Sequence, residues 1–356
     1  MKTFYQHKKV FITGHTGFKG SWLITLLNKL GADITGYALL PPTQPNLYDS
    51  IEGDALCKSI IGDIRNTALL HHHIKKCQPD IVIHLAAQPI VRTSYEIPAE
   101  TFEINTLGTA NVLDGIRFIE KPCVGVMITT DKVYENNENG QAYREQDRLG
   151  GYDPYSSSKA CAELLIDSYR KSFFNPKDYK KHHKVIASAR AGNVIGGGDW
   201  ASDRLLPDIV RSFAAKEAVR IRNPHAVRPW QHVLEPLYAY LLLAKKMYEN
   251  PPNYGEAYNF GPYPQDVLTV KDMTELAVNI WGGGDIVFEN LSNQPHEASL
   301  LSLCIEKAET QLNWEPKLNA KSALEFSIQW YKCFYEKHKN MHDFTLHQIT
   351  TYLASI

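Results

Sequence analysis

Short apolar runs separated by polar, glycine-bearing turns mark out the first 190 residues. Lys9–Thr13, Asp33–Leu39, Ser59–Gly62, Asp80–Leu85, Val124–Ile128 and Val185–Arg190 are four to seven residues long and rich in valine and isoleucine. That is the length and composition of buried strands. Between them, Ser21–Leu30, Asn105–Phe118 and a segment opened by Pro154 and Tyr155 repeat apolar residues at helical spacing. Strands alternating with helices predict an α/β fold, a Rossmann-like doubly wound parallel sheet. After Gly192 the texture changes to loop-like sequence carrying arginines, aromatics and prolines. Helices are then predicted at Leu234–Met247, Lys271–Trp281 and Ala320–Glu336, with a last strand at Ala257–Phe260. The expected division is residues 1–191 plus about 233–262 as one lobe. A smaller mixed α/β lobe takes about 192–232 plus 263–356.

Composition narrows the function classes. With 44% hydrophobic and 22% charged residues in 356, the chain can bury a sizeable core. A net charge of −1 gives no footprint for nucleic acid or an anionic membrane. The N-terminus, M-K-T-F-Y-Q-H-K-K, has no signal-peptide apolar segment, and no run reaches membrane-spanning length, so a soluble cytoplasmic protein is expected. The six cysteines are scattered without a C-x-x-C pair, which suits reduced thiols and argues against a metal site. His71, His72 and His73 sit on a predicted helix, where consecutive residues diverge, so a solvated face is expected rather than a metal.

The candidate chemistry gathers at strand ends, where open parallel sheets bind ligands. Lys9–Thr13 runs into Gly14-His15-Thr16-Gly17-Phe18-Lys19-Gly20 and then a helix. Glycines there let the backbone approach a pyrophosphate, which the helix N-terminus then binds. The second strand ends in Ala38-Leu39-Leu40-Pro41-Pro42, without the acidic residue that usually holds the adenosine ribose. Nor does an arginine or lysine stand there for a 2′-phosphate, so NAD, loosely held, is the expected cofactor. Asp63-Ile64 is placed to meet adenine, and Leu85-Ala86-Ala87-Gln88 leaves room for a cofactor to pass the backbone. Thr129, Thr130, Asp131 and Lys132 end the Val124–Ile128 strand. Tyr155 and Lys159, at i and i+4, share one helix face, and an ammonium beside a phenol favours phenolate. Arg222 and Arg228 can neutralise a diphosphate; surface ion pairs are the plainer reading of the same residues.

T-G-x-x-G-x-x-G, Asp63-Ile64, L-A-A-Q, Asn105, T-T-D-K and Y-x-x-x-K, in this order, resemble the extended short-chain dehydrogenase/reductase family over nearly the whole chain. The longer strings G-G-Y-D-P-Y-S-x-S-K, R-A-G-N-V-I-G-G-G-D-W, R-P-W-Q-H-V-L-E-P and P-H-E-A look like its 4,6-dehydratases acting on CDP-glucose. The resemblance implies catalytic roles for Thr130, Asp131, Lys132, Tyr155 and Lys159. It implies cofactor contacts from the glycine loop, Asp63 to Ile64, Leu85 to Gln88, Asn105, Tyr155 and Lys159. The nucleotide sugar would be met by Gln88, Thr130, Asn193, Arg204, Arg222, Arg228 and His296. The implied reaction oxidises C4, eliminates water across C5 and C6, and returns hydride to C6. A dehydratase of another nucleotide hexose, or a 4-epimerase, uses much of the same machinery. A cofactor-sensing binding protein has no use for a tuned phenol. A homodimer or higher homo-oligomer is also expected, with the apolar stripe of Ala160–Tyr169 either pairing across it or lying in the core.

Overall fold

The computed structural model describes residues 1–136, 140–251, 253–289, 301–337 and 340–356. Seven strands form its main sheet: β1 (Lys9–Thr13), β2 (Asp33–Ala38), β3 (Lys58–Ile61), β4 (Ile81–His84), β5 (Cys123–Ile128), β6 (Lys184–Ala191) and β7 (Ala257–Phe260). All pairings are parallel, in the order β3-β2-β1-β4-β5-β6-β7. Every strand therefore ends on the same edge, and the order reverses between β1 and β4. A crevice opens at that reversal point, which is where such sheets take ligands.

Helices cover both faces, which is why β4, β5 and β6 are buried along their whole length. α1 (Phe18–Lys29) lies on one face; α2 (Thr67–Cys77), α3 (Gly108–Arg117) and α4 (Pro154–Ser172) lie on the other. Under the second group, Phe11, Tyr37, Leu70, Ile74, Val112 and Ile166 form one core. The Asn105 helix begins earlier than the pattern predicts, because Pro98 opens a helical stretch, Pro98–Phe102, that reaches α3 through a π-helical turn at Glu103–Leu107. The histidine run is only partly a solvated face. His72 is exposed, whereas His71 hydrogen-bonds the Asn111 carbonyl at 2.9 Å and pins α2 to α3. Among the described residues no group of three or more His, Cys, Asp or Glu is placed to hold a metal ion. All six cysteines are free. No described helix is long and apolar enough to cross a membrane.

The rest of the chain adds α5 (Leu205–Ala215), α6 (Leu234–Glu249), α7 (Val270–Trp281), α8 (Ala320–Glu336) and α9 (Met341–Ala354), with three two-stranded pairings. The triple glycine at 196–198 is a packing device. A Cβ on Gly197 would stand 2.1 Å from the Trp330 ring, and Gly198, at φ +84°, lies against Leu47. Trp22 donates its indole N–H to the Gly197 carbonyl, and Tyr331 both donates to the Asp199 carbonyl and accepts from the Asp199 N–H. The loop is thus held between α1 and α8. Glu235 in α6 ties down the chain's last elements: one carboxylate oxygen accepts from the Lys317 and Leu318 N–H groups and the other from Tyr352. Burial lifts the Glu235 pKa to about 7.

Candidate active site

The crevice is a cavity of about 1140 Å³ between the strand ends and the 192–228 segment. Its floor follows from glycines. Gly14 has φ +83°, and a Cβ there would meet the Ala86 backbone nitrogen at 2.7 Å, so the first loop and the β4 end close together only without one. Gly17 caps α1 without a side chain, leaving the first-turn N–H groups uncapped by any side-chain oxygen. His15 turns beneath this loop and does not line the cavity. Its Nε2 shares a hydrogen bond with Ser59 Oγ at 2.8 Å, its ring lies against Gly36, and burial holds its pKa down at about 4. Asn105 is likewise set back: its Oδ1 accepts from the Gln88 N–H and its Nδ2 donates to the Gln88 carbonyl, which shapes the Ala86–Gln88 loop.

The string before Tyr155 explains the start of α4. Asp153 is the N-cap, accepting from the Ser156 N–H at 2.9 Å, and Pro154 takes the first helical position, where its missing N–H costs nothing. Gly151 passes so close to this turn that a Cβ would meet the Ser156 carbonyl carbon at 2.2 Å. The Tyr155 N–H, still unpaired within the helix, donates to Ser94 Oγ. α4 then presents Tyr155 and Lys159 to the end of β5, where Lys159 Nζ donates to the Ile128 carbonyl at 3.2 Å. Burial lowers the Lys159 pKa to about 8, against the upward pull of Glu163. The phenol behaves differently from the sequence-based expectation. Burial dominates and pushes Tyr155 up to about 12, while a hydrogen bond with Thr130 pulls the other way.

Thr130 also donates to Asp131 Oδ1 at 2.9 Å. Asp131 is buried, and its carboxyl is pushed above the ordinary carboxylate range by desolvation, with Lys132 and Arg228 opposing. Lys19 reaches the same wall, near the Tyr240 hydroxyl, and burial beside Arg204 and Lys159 brings it down to about 7. On the far side Arg204 pairs with Asp199 at 3.0 Å, and Arg222 with Asp203 at 2.9 Å. Asp203, at φ +59°, also faces Arg92 at 3.4 Å. Arg92, Asp203 and Arg220 line the cavity without having been singled out in the sequence. Arg92 had a usable signal, standing four residues after Gln88. Of the residues that were singled out, all line the cavity except His15, Asn105 and His296, the last of which lies outside the described residues.

The profile of the GDP-mannose 4,6 dehydratase family matches residues 11–325. The chain belongs to this family. A CDP-glucose 4,6-dehydratase from Salmonella typhimurium is 47% identical over 333 residues, covering 94% of this chain and 93% of that protein. Two solved dehydratases share the fold of this family member. The dTDP-glucose 4,6-dehydratase of Bacillus anthracis, in complex with NAD, has 23% identity, covers 92% of this chain and 97% of its own, and superposes with a TM-score of 0.76. DesIV from Streptomyces venezuelae, also a dTDP-glucose 4,6-dehydratase, has 20% identity, covers 93% and 99%, and gives 0.78.

Proposed function

We propose that this protein is an NAD-dependent CDP-glucose 4,6-dehydratase, a hydro-lyase yielding CDP-4-keto-6-deoxyglucose. The observation that carries this reading is the Thr130-Asp131-Lys132 group at the β5 end, facing Tyr155 and Lys159 across one cavity. A 4-epimerase needs the tyrosine and lysine but not an acid–base pair beside the threonine. Asp131, held partly toward its protonated form by burial, is suited to donate to a departing hydroxyl.

The residues present fit NAD. The close approach of Gly14 to Ala86 and the N-terminus of α1, without a side-chain cap, suit a pyrophosphate, and Asp63 and Ile64 line the adenine end. Bound NAD would accept hydride from C4 of the sugar and return it at C6. Tyr155 takes the C4 hydroxyl proton; with burial holding its pKa near 12, this task falls to a phenolate, which an ammonium on the same helix face, at Lys159, would favour. Thr130 hydrogen-bonds the C4 oxygen. The 4-keto group acidifies the C5 proton, and Asp131 and Lys132 remove it and protonate the C6 hydroxyl as water leaves. Arg204, Arg222 and Arg228 hold the diphosphate, with Arg92 as a further cationic contact. On this reading residues 1–191 with about 233–262 hold NAD, and about 192–232 with 263–356 hold the nucleotide sugar. The enzyme works in the cytoplasm as a homodimer or higher homo-oligomer; Leu164 on α4 is 61% exposed and available to such a contact.

Ketone formation from CDP-, UDP-, GDP- and dTDP-glucose, with product identified by mass, tests the proposal. Loss of water from CDP-glucose alone is the expected result; epimerised product without water loss overturns it.

A further inference from the structure

Behind the reactive wall lies a buried charge the reaction scheme leaves unused. Glu163 stands one helical turn beyond Lys159 on α4 and does not line the cavity. Its side chain is 1% exposed, and that of its partner Arg190 on β6 is 4% exposed, with 2.8 Å between them. Both carboxylate oxygens are occupied: Oε1 accepts from Thr129 Oγ1 at 2.5 Å, and Oε2 from Ser188 Oγ and Arg190 Nη2, each at 2.8 Å. Arg190 is itself fixed, donating to the Tyr134 hydroxyl and the Glu145 carbonyl. Thr129 immediately precedes the Thr130-Asp131-Lys132 group, so Glu163 holds, through the Thr129 hydroxyl, the residue next to those side chains.

We propose that Glu163 is a positioning residue: it anchors the end of β5 through Thr129 and supplies the negative charge that keeps the Lys159 ammonium protonated one turn from Tyr155. The inference rests on the assignment of Lys159 above. The charged and titratable neighbours of Lys159 make the need plain. Lys19 on α1 repels it, and His84 on β4, bonded between Thr13 and Thr109, is held neutral with a pKa near 3. Desolvation also works against the ammonium, and Glu163 is the carboxylate whose field opposes both. Around Glu163 itself stand Arg190 and, on its own helix, Arg170; its carboxyl is held below the ordinary range by Arg190, Thr129 and Ser188 despite burial. It is therefore ionised at neutral pH.

The test reads Lys159 directly. Lysine methylenes next to Nζ, labelled with carbon-13, are titrated by NMR, with the Lys159 signal assigned by its absence in Lys159→Met. In Glu163→Gln the Lys159 transition moves down by about one pH unit, the size expected from losing a nearby opposite charge. The alkaline fall in turnover moves with it. The single variant leaves Arg190 buried without its carboxylate and can fail to fold, so the double variant Glu163→Gln with Arg190→Gln carries the test. If the pair served stability alone, the double variant would titrate like the parent protein. A Lys159 transition unmoved in the folded double variant overturns the proposal. Failure of the underlying reading looks different: Lys159→Met would retain turnover whatever the titration shows.

Discussion

The imidazole of His15 lies flat against the place where Gly36 lacks a side chain. A Cβ on Gly36 would come 2.3 Å from His15 Cγ and 2.6 Å from Nδ1. Two positions 21 residues apart thus share one volume: the glycine loop carries a large ring because the neighbouring strand carries none. Gly36→Ala should destabilise the protein by about 1–3 kcal/mol through overpacking. His15→Ala in the same chain should restore most of the loss, a coupling that urea midpoints of the four proteins in a double-mutant cycle will measure. Additive effects would break the link.

Tyr155→Phe keeps the ring's packing and removes the hydroxyl. Turnover should fall by orders of magnitude while nucleotide-sugar binding, followed by calorimetry, stays near that of the parent. Near-parental turnover would remove Tyr155 from the chemistry.

Lys132→Met and Asp131→Asn should separate oxidation from elimination. Both leave Tyr155 and Lys159 in place, so C4 oxidation proceeds and absorbance of reduced nicotinamide accumulates, while the 4-keto-6-deoxy product drops sharply. Undiminished product in both variants would contradict the elimination role, and equal slowing of both half-reactions would reduce the pair to a loop brace.

The cofactor should dissociate readily. The second strand is followed by exposed Leu39 and Leu40, 58% and 69% accessible, instead of a carboxylate for the ribose. Purified protein should therefore gain activity on addition of NAD⁺. Full saturation as isolated, or a preference for NADP⁺, would run against this.

Glu235 gives a pH signature in stability. Its pKa is raised from 4.5 to about 7 in the fold, so the folded state binds the extra proton between those values. Its favourable term is complete below pH 4.5 and is lost as pH rises through 7, on the order of 3 kcal/mol in all. Glu235→Gln keeps acceptors for Lys317 and Leu318 and a donor for Tyr352 but does not titrate. The melting temperature of the variant should climb relative to the parent from pH 5 to pH 8. A constant difference across that range would exclude Glu235 as the titrating group.

What was legible in the sequence was whatever local spacing determines. The order strand, glycine loop, helix needs only neighbours along the chain, and the Tyr155–Lys159 face needs only helical geometry. The β5 edge could be read because an apolar run stopped abruptly at Thr129. Properties set by distant neighbours were hidden. The Tyr155 phenol looked easily ionised beside Lys159, yet burial by the assembled walls dominates and raises its pKa, outweighing the Thr130 hydrogen bond and the Arg204 charge. Asp203 bridges Arg92 and Arg222, which lie far apart in sequence, and no spacing rule connects them. The buried pair of Glu163 on α4 and Arg190 on β6 likewise joins elements that no spacing along either one connects.

The clamp on the Gly197–Trp200 loop has a consequence for how the protein is made. Tyr331 holds Asp199 across 132 residues, and Trp330 fills the space that Gly197 leaves open. During synthesis strands β1 to β6 can leave the ribosome and pair long before α8 appears. The arginine-bearing wall beside that loop gains its backing only when α8 docks. Nascent chains arrested short of Trp330 should therefore carry a formed sheet and a cavity whose far wall is still unfinished.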